Sequence, residues 1–326
     1  MSAVSSIADG LFAPDATHGL TLALAVMHRG EFVFERYGTQ PDTPFGPGGP
    51  VTADTTLISW SMAKSITHAA VGALVADGLL QVDAPAPVPG WRGTEKAAIT
   101  LQHLLEMRPG LLWVEDYVDD SVSHCIEMLY GDSSADMGAY AAGLPLIHAP
   151  GEVNNYSSGT TNIISRIVGD VVGGGREGME EFLHQRVFAP AGMTSAIPKF
   201  DAAGTFVGSS YVYATARDFA RFGDWYRTAL EGAAPALSAE WAEHARTFSA
   251  HDEPFDYGRH WWLWRDHPGT FGCHGYEGQY TVVVPDRELV LVHLGKSPDG
   301  DREPVWAALR GLIDAVPLRP SAINRG

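Results

Sequence analysis

The chain has 326 residues, of which 45% are hydrophobic, 10% aromatic and only 19% charged, a composition that excludes a disordered chain and a long coiled coil. Its length permits one large domain or two smaller ones, with apolar material enough for a sizeable core. Acidic residues number 39 against 22 basic ones, and the formal charge of −17 repels phosphate backbones and anionic lipid, so neither nucleic acid nor a membrane surface is an expected partner. The start, MSAVSSIADGLFAPDATHG, carries no Lys or Arg and lacks the positive segment of a secretion signal. The apolar run 20–27 is far short of the roughly 20 residues that span a bilayer. Two cysteines, Cys125 and Cys273, read as reduced thiols. The expected location is cytoplasmic.

Runs 20–27 and 31–37, separated by His28-Arg29-Gly30, predict a hairpin. The Pro- and Gly-packed stretch 41–50 reads as a loop. From Ser61 the period becomes helical, with Ile66, Ala69, Ala70, Ala73 and Leu74 on one face and Gly78 at the end. Further helices are expected at 101–107, 122–130, 160–171, 179–188, 216–230 and 238–246. The glycines at 173–175 read as a turn, because no Gly-Lys-Ser/Thr follows to make a phosphate loop. Runs 257–265, 279–284 and 288–294 predict strands, and Val305, Leu309, Leu312 and Ile313 mark a last helix after Pro304. The expected architecture is α+β. A sheet is built from 1–59 and 251–326, 60–250 is mostly helical, and a cleft lies between them in a single unit.

Thirteen histidines invite a metal, but the closest pairs stand seven apart and no His-Glu-x-x-His, His-x-His or Cys-x-x-Cys spacing occurs. No metal and no cofactor are expected. The Gly-x-Ser-x-Gly elbow is also absent. Three other segments carry chemistry. Ser61-Met62-Ala63-Lys64 places an amine beside a hydroxyl, since i and i+3 share a helix face. An apolar setting (Ile58, Trp60, Met62, Ile66) would lower the lysine pKa and let it serve as base; the plain alternative is a capping serine with a solvent lysine. Asn154-Asn155-Tyr156-Ser157-Ser158-Gly159 sets a tyrosine just ahead of a helix, where a nearby cation would lower its pKa, or where it is only a surface residue. Gly272-Cys273-His274-Gly275-Tyr276-Glu277-Gly278 reads as a turn leading into a strand, its glycines permitting close backbone approach. An N–H from this edge could join that of Ser61 as an oxyanion hole.

In this order and spacing the three segments resemble those of the serine hydrolases of the class C β-lactamase, penicillin-binding protein and esterase superfamily. ITLQHLLEMRPGL (99–111), FAPAGM (188–193) and GSSYVYATARDFARFG (208–223) extend the likeness. LLWVEDYVDD (111–120) and GCHGYEGQY (272–280) are similar to the 6-aminohexanoate-dimer hydrolase-like branch. The resemblance implies Ser61 as nucleophile, Lys64 and Tyr156 as its acid–base partners, and the N–H groups of Ser61 and Tyr276 as oxyanion hole. It further implies Tyr117 as a residue closing over substrate. Trp113, Tyr117, Trp225, Trp262, Trp264 and Tyr276 are candidate cleft walls, with core packing as the plainer reading for most of them; Trp113, His274 and Gly275 join Tyr117 as candidate substrate contacts, His274 alternatively bracing the strand edge.

Two positions depart from the pattern. Cys273-His274-Gly275 replaces Lys-Thr-Gly, and Tyr156-Ser157-Ser158 replaces Tyr-x-Asn. Without the lysine that would receive a β-lactam carboxylate, a short-chain ester or a small linear amide is the expected substrate. β-Lactam turnover and a non-catalytic binding protein are the alternatives. Glu115, Asp116, Asp119 and Asp120 read as a solvated acidic loop face or as an attractor for an amine-bearing substrate. The assembly is left open to a homodimer.

Overall fold

A computed structural model describes residues 2–14, 16–42, 47–117, 122–298, 300 and 302–318. The hairpin forms as its pattern predicts. Leu20–His28 and Glu31–Tyr37 pair antiparallel, and Arg29 (φ 57°) and Gly30 (φ 79°) supply the two left-handed residues of a tight turn. Along its other edge Leu20–His28 pairs with Leu289–Lys296, from Leu20↔Lys296 to His28↔Leu289. The sheet then continues through Gln279–Val284, Phe271–Gly275, Trp262–Leu263, Phe255–Tyr257 and Ala250–Asp252, eight antiparallel strands in all. Both faces are covered, so the central strands are apolar on both sides rather than alternating. On one face Leu24, Val26, Val282 and Leu291 meet the helices Ser2–Leu11 and Glu303–Asp314. On the other, Ala25, Val283, Val290 and Val292 meet the helix Ala216–Leu230 and the wider helical region.

Several predicted elements shift. The run 257–265 is not one strand: His260 takes φ 62°, and the chain breaks into Phe255–Tyr257 and Trp262–Leu263. The segment read as a turn, 272–278, is mostly strand, and only Tyr276–Gly278 turns. Gly272 and Gly275 hide that strand in sequence. A Cβ on either would stand 2.7 Å from the Thr281 carbonyl or 2.4 Å from that of Ser59, so close backbone approach sets the composition. Inside the stretch 41–50 read as a loop, Gly49–Pro50 pairs with Thr39–Gln40. The helices Ser2–Leu11 and Met137–Gly143 were not expected; the second opens Met-Gly and closes on Gly, a sequence with little helical preference of its own.

The helix Ala63–Ala76 is the axis of the helical region, with every residue from Ala63 to Leu74 buried. His260 locks it to the helix Ser158–Val172. The His260 carbonyl accepts from Ser65 Oγ at 2.7 Å, while Nε2 pairs with Thr161 Oγ1 at 3.0 Å and Nδ1 with the Leu105 carbonyl at 2.9 Å. Burial holds this imidazole neutral, its pKa lowered to about 3. Ser157 caps the helix Ser158–Val172 by accepting from Thr160 N at 2.9 Å. Gly159 in the first turn lies flat on the Trp113 ring, where a Cβ would come within 2.4 Å of Cζ3. Gly159→Ala is therefore expected to cost about 1–3 kcal/mol, read as a lowered melting temperature; an unchanged melting temperature would show that the ring can yield.

Candidate active site

Ser61 lies in a 3-10 turn, Trp60–Met62, that runs directly into the helix Ala63–Ala76. The residue before it, Trp60, is held at φ 43°, a left-handed conformation unusual for a bulky side chain. Its indole N–H donates to Glu277 Oε2 at 3.1 Å, and its ring meets Tyr276 edge-on at 5.9 Å. Strain of this kind persists only where neighbours over-determine the backbone, and here it presents the serine to the cleft.

The helical i,i+3 spacing brings Lys64 Nζ to 2.9 Å from Ser61 Oγ. Two other acceptors hold the same nitrogen, Ser158 Oγ at 3.0 Å and the Ser209 carbonyl at 3.0 Å. Burial lowers the lysine pKa, opposed in part by the charge of Glu115. Tyr156 is hydrogen-bonded to Ser61, and its ring lies 4.9 Å beneath Lys64 Nζ. The expected lowering of the tyrosine pKa is reversed. Burial first, and the Glu115 charge second, push it well above the usual phenol value. The lysine cation that was to lower it is itself discouraged by burial, so Tyr156 stands as a neutral phenol.

Tyr276 follows directly on the strand Phe271–Gly275, whose last residue abuts Ser59 and Trp60. Two cavities meet at Ser61 and Tyr276. One, of about 150 Å³, is narrow and walled by Cys125, Ile126 and Leu129. The other, of about 630 Å³, is wide and mixed, with Trp262, Phe255 and Trp306 beside Asp252, His274 and Arg302. Tyr117, Tyr276 and Ser61 line both.

The structure brings Ser61, Lys64, Tyr156, Tyr276, Tyr117, His274 and Gly275 to one cleft. His274 accepts from Trp264 Nε1 at 3.1 Å and stacks on Trp262 at 5.4 Å, which fixes its ring in the wide cavity wall. Trp113 is not a wall. It is 6% exposed, stacked on His124 and donating its indole N–H to Glu115 Oε2 at 2.5 Å. Trp225 and Trp264 are core residues, whereas Trp262 does face the cleft. Cys273 turns away, its Sγ 3.9 Å from the Thr281 carbonyl and its thiol pushed up to about 12 by burial, so it is an inert core residue.

Three polar residues at the site were missed as participants: Ser158, Ser209 and Glu115. Glu115 is no solvated loop face. Its carboxylate accepts from Ser158 N (2.8 Å), Ser158 Oγ (2.5 Å), Trp113 Nε1 (2.5 Å) and Tyr117 OH (2.8 Å). Asp116 accepts from the Tyr117 N–H, and Asp119 and Asp120 lie outside the described residues. The one available signal was Ser158 itself, standing where the tyrosine motif ordinarily has Asn. Among the described residues no group of three or more His, Cys, Asp or Glu side chains is placed to hold a metal ion, and no helix is long and apolar enough to cross a membrane.

A family model described as β-lactamase matches residues 8–314. No curated protein matches the sequence. Among solved structures, a Bacillus anthracis protein assigned as a 6-aminohexanoate-dimer hydrolase superposes with a TM-score of 0.74 at 21% identity, over 90% of this chain and 78% of that one. An octameric penicillin-binding protein homologue from Pyrococcus abyssi gives 0.70 at 18%, over 96% and 77%. A class C β-lactamase from Rhodobacter sphaeroides gives 0.69 at 15%, over 97% and 99%. At these identities the likeness is one of fold.

Proposed function

The chain belongs to the β-lactamase family, and from that premise we propose that it is a serine hydrolase cleaving short-chain esters or small linear amides through a covalent acyl-enzyme on Ser61. The observation that carries this reading is the buried Lys64 amine held 2.9 Å from Ser61 Oγ. A buried lysine gives up its proton more easily than a solvated one, and a base in contact with the hydroxyl is what a serine needs to attack a carbonyl.

Substrate binds with its carbonyl oxygen toward the N–H groups of Ser61 and Tyr276. Ser61 Oγ bonds to the carbonyl carbon as its proton moves to Lys64 Nζ. The bond to the leaving oxygen or nitrogen breaks as Tyr156 gives that atom its phenolic proton. Lys64 returns a proton to Tyr156, and water hydrolyses the ester by the same steps reversed. The narrow apolar cavity suits a short acyl chain, and the wide one suits the leaving group, including the linear amide type named for the Bacillus anthracis structure.

A β-lactamase activity is the second reading. The position of the missing lysine is filled by buried Cys273, which argues against it, but Arg302 brings a cation to the wide cavity, stacked 5.3 Å over the Tyr276 ring. Mass spectrometry after exposure to a fluorophosphonate, an activated short-chain ester and a penicillin separates the readings. The fluorophosphonate is expected to add to Ser61, with the ester turned over and the penicillin not. Penicillin turnover would favour the second reading, and no adduct from any probe would favour a non-catalytic protein.

A further inference from the structure

We propose that Glu115 is a positioning residue for the reaction: by holding the Ser158 hydroxyl as a donor to itself, it keeps the third valence of Lys64 Nζ directed at Ser61. The inference rests on the serine hydrolase reading above and follows from hydrogen counting. A serine hydroxyl has one hydrogen. At 2.5 Å from Glu115 Oε1, that of Ser158 is committed to the carboxylate, because the carboxylate has none to offer. Ser158 Oγ can therefore only accept from Lys64 Nζ at 3.0 Å. The Ser209 carbonyl likewise can only accept, also at 3.0 Å. Two hydrogens of the amine are thus spoken for in either charge state. What remains, a hydrogen when the lysine is charged and the lone pair when it is neutral, points at Ser61 Oγ. Without the carboxylate, Ser158 could turn its hydrogen onto the neutral amine and occupy the lone pair that Ser61 needs.

Glu115 is built for this. Its second oxygen is fixed by Ser158 N and the Trp113 indole, and Tyr117 OH adds to the first, so it is anchored both by its own segment and by the start of the helix Ser158–Val172. The titratable groups facing Lys64 are Glu115, the Cys125 thiol, Tyr156 and His260. Burial keeps the thiol and the phenol protonated and the imidazole neutral. Glu115 is therefore the charge that supports the protonated lysine, and its removal makes that proton easier to lose.

The test is the rate of Ser61 labelling by a fluorophosphonate as a function of pH. In Glu115→Gln the plateau rate is expected to fall about 10²-fold, the size of a misplaced catalytic group. The acidic limb is expected to move down by about one pH unit. Loss of packing alone would lower the plateau and leave the limb where it was. Ser158→Ala keeps the carboxylate and its charge, so it is expected to lower the plateau for want of the acceptor and to leave the limb near its wild-type position. The double variant is expected to be no worse than the more impaired single one, as for residues acting in series. Should Glu115→Gln fail to fold, the pair Ser158→Ala and Ser158→Thr decides: the threonine keeps the hydroxyl and is expected to restore the plateau, and a threonine variant as slow as the alanine one would overturn the proposal. A limb unmoved in folded Glu115→Gln, or additive plateau losses in the double variant, would overturn the proposal. A wild-type chain that never labels at Ser61 would instead overturn the hydrolase reading beneath it.

Discussion

Ser61→Ala is expected to abolish ester turnover, with a loss on the order of 10⁶-fold in kcat, as when a hydrolase loses its nucleophile. The reason is geometric. Lys64 and Tyr156 both converge on the one oxygen that the substitution removes, and nothing else within the Lys64 contacts is a usable nucleophile. Ser158 donates its hydrogen to Glu115, and the Ser209 contact is a carbonyl. Stability should be little affected, since the hydroxyl faces the cleft and its loss leaves the lysine with two partners. Parallel measurements of turnover and melting temperature check both halves. Substantial turnover by a folded Ser61→Ala enzyme would remove the acyl-enzyme mechanism.

Lys64→Met should cost about 10²–10⁴-fold, the usual value of general-base help, and should also erase the acidic limb of the kcat/KM profile. In the proposed mechanism the wild-type limb marks loss of the lysine proton. Burial lowers that pKa, so activity is expected to rise with pH earlier than an exposed lysine would allow. Tyr156 must keep its proton to serve the leaving group, and its pKa stands well above the usual value, so it imposes no alkaline fall near neutrality. Tyr156→Phe is thus expected to slow turnover and leave the acidic limb in place. A limb that survives Lys64→Met would assign it to another group and would cost Lys64 its role as base.

What could be read from the sequence was mostly what is local. Ser61 and Lys64 share a helix face, so their meeting follows from spacing alone. The hairpin at 20–37 and the helix Ala216–Leu230 follow from periodicity in the same way. Glu115 was illegible because its meaning lies in partners at Ser158, 43 positions away, while its own neighbours made it look like a solvated acidic run. Trp113 was misplaced for the converse reason. An indole beside a tyrosine suggests a cleft wall, but its N–H is satisfied by Glu115 and its ring by Gly159. The direction of the Tyr156 shift could not be read either, since it depends on how thoroughly the fold desolvates both the phenol and the amine.

The pairing of Leu20–His28 with Leu289–Lys296 has a consequence for biosynthesis. It joins strands from opposite ends of the sequence, and such closures carry the largest loop entropy and form late. The Tyr276 N–H, proposed as the second oxyanion donor, sits on the sheet this pairing completes, whereas Ser61, Lys64 and Tyr156 leave the ribosome long before it. A chain synthesised only as far as Tyr156 would lack the Tyr276 N–H and also the His260 contacts that join the helices Ala63–Ala76 and Ser158–Val172. The proposed site is in this sense assembled from distant parts of the chain, and is complete only once Leu289–Lys296 has paired with Leu20–His28.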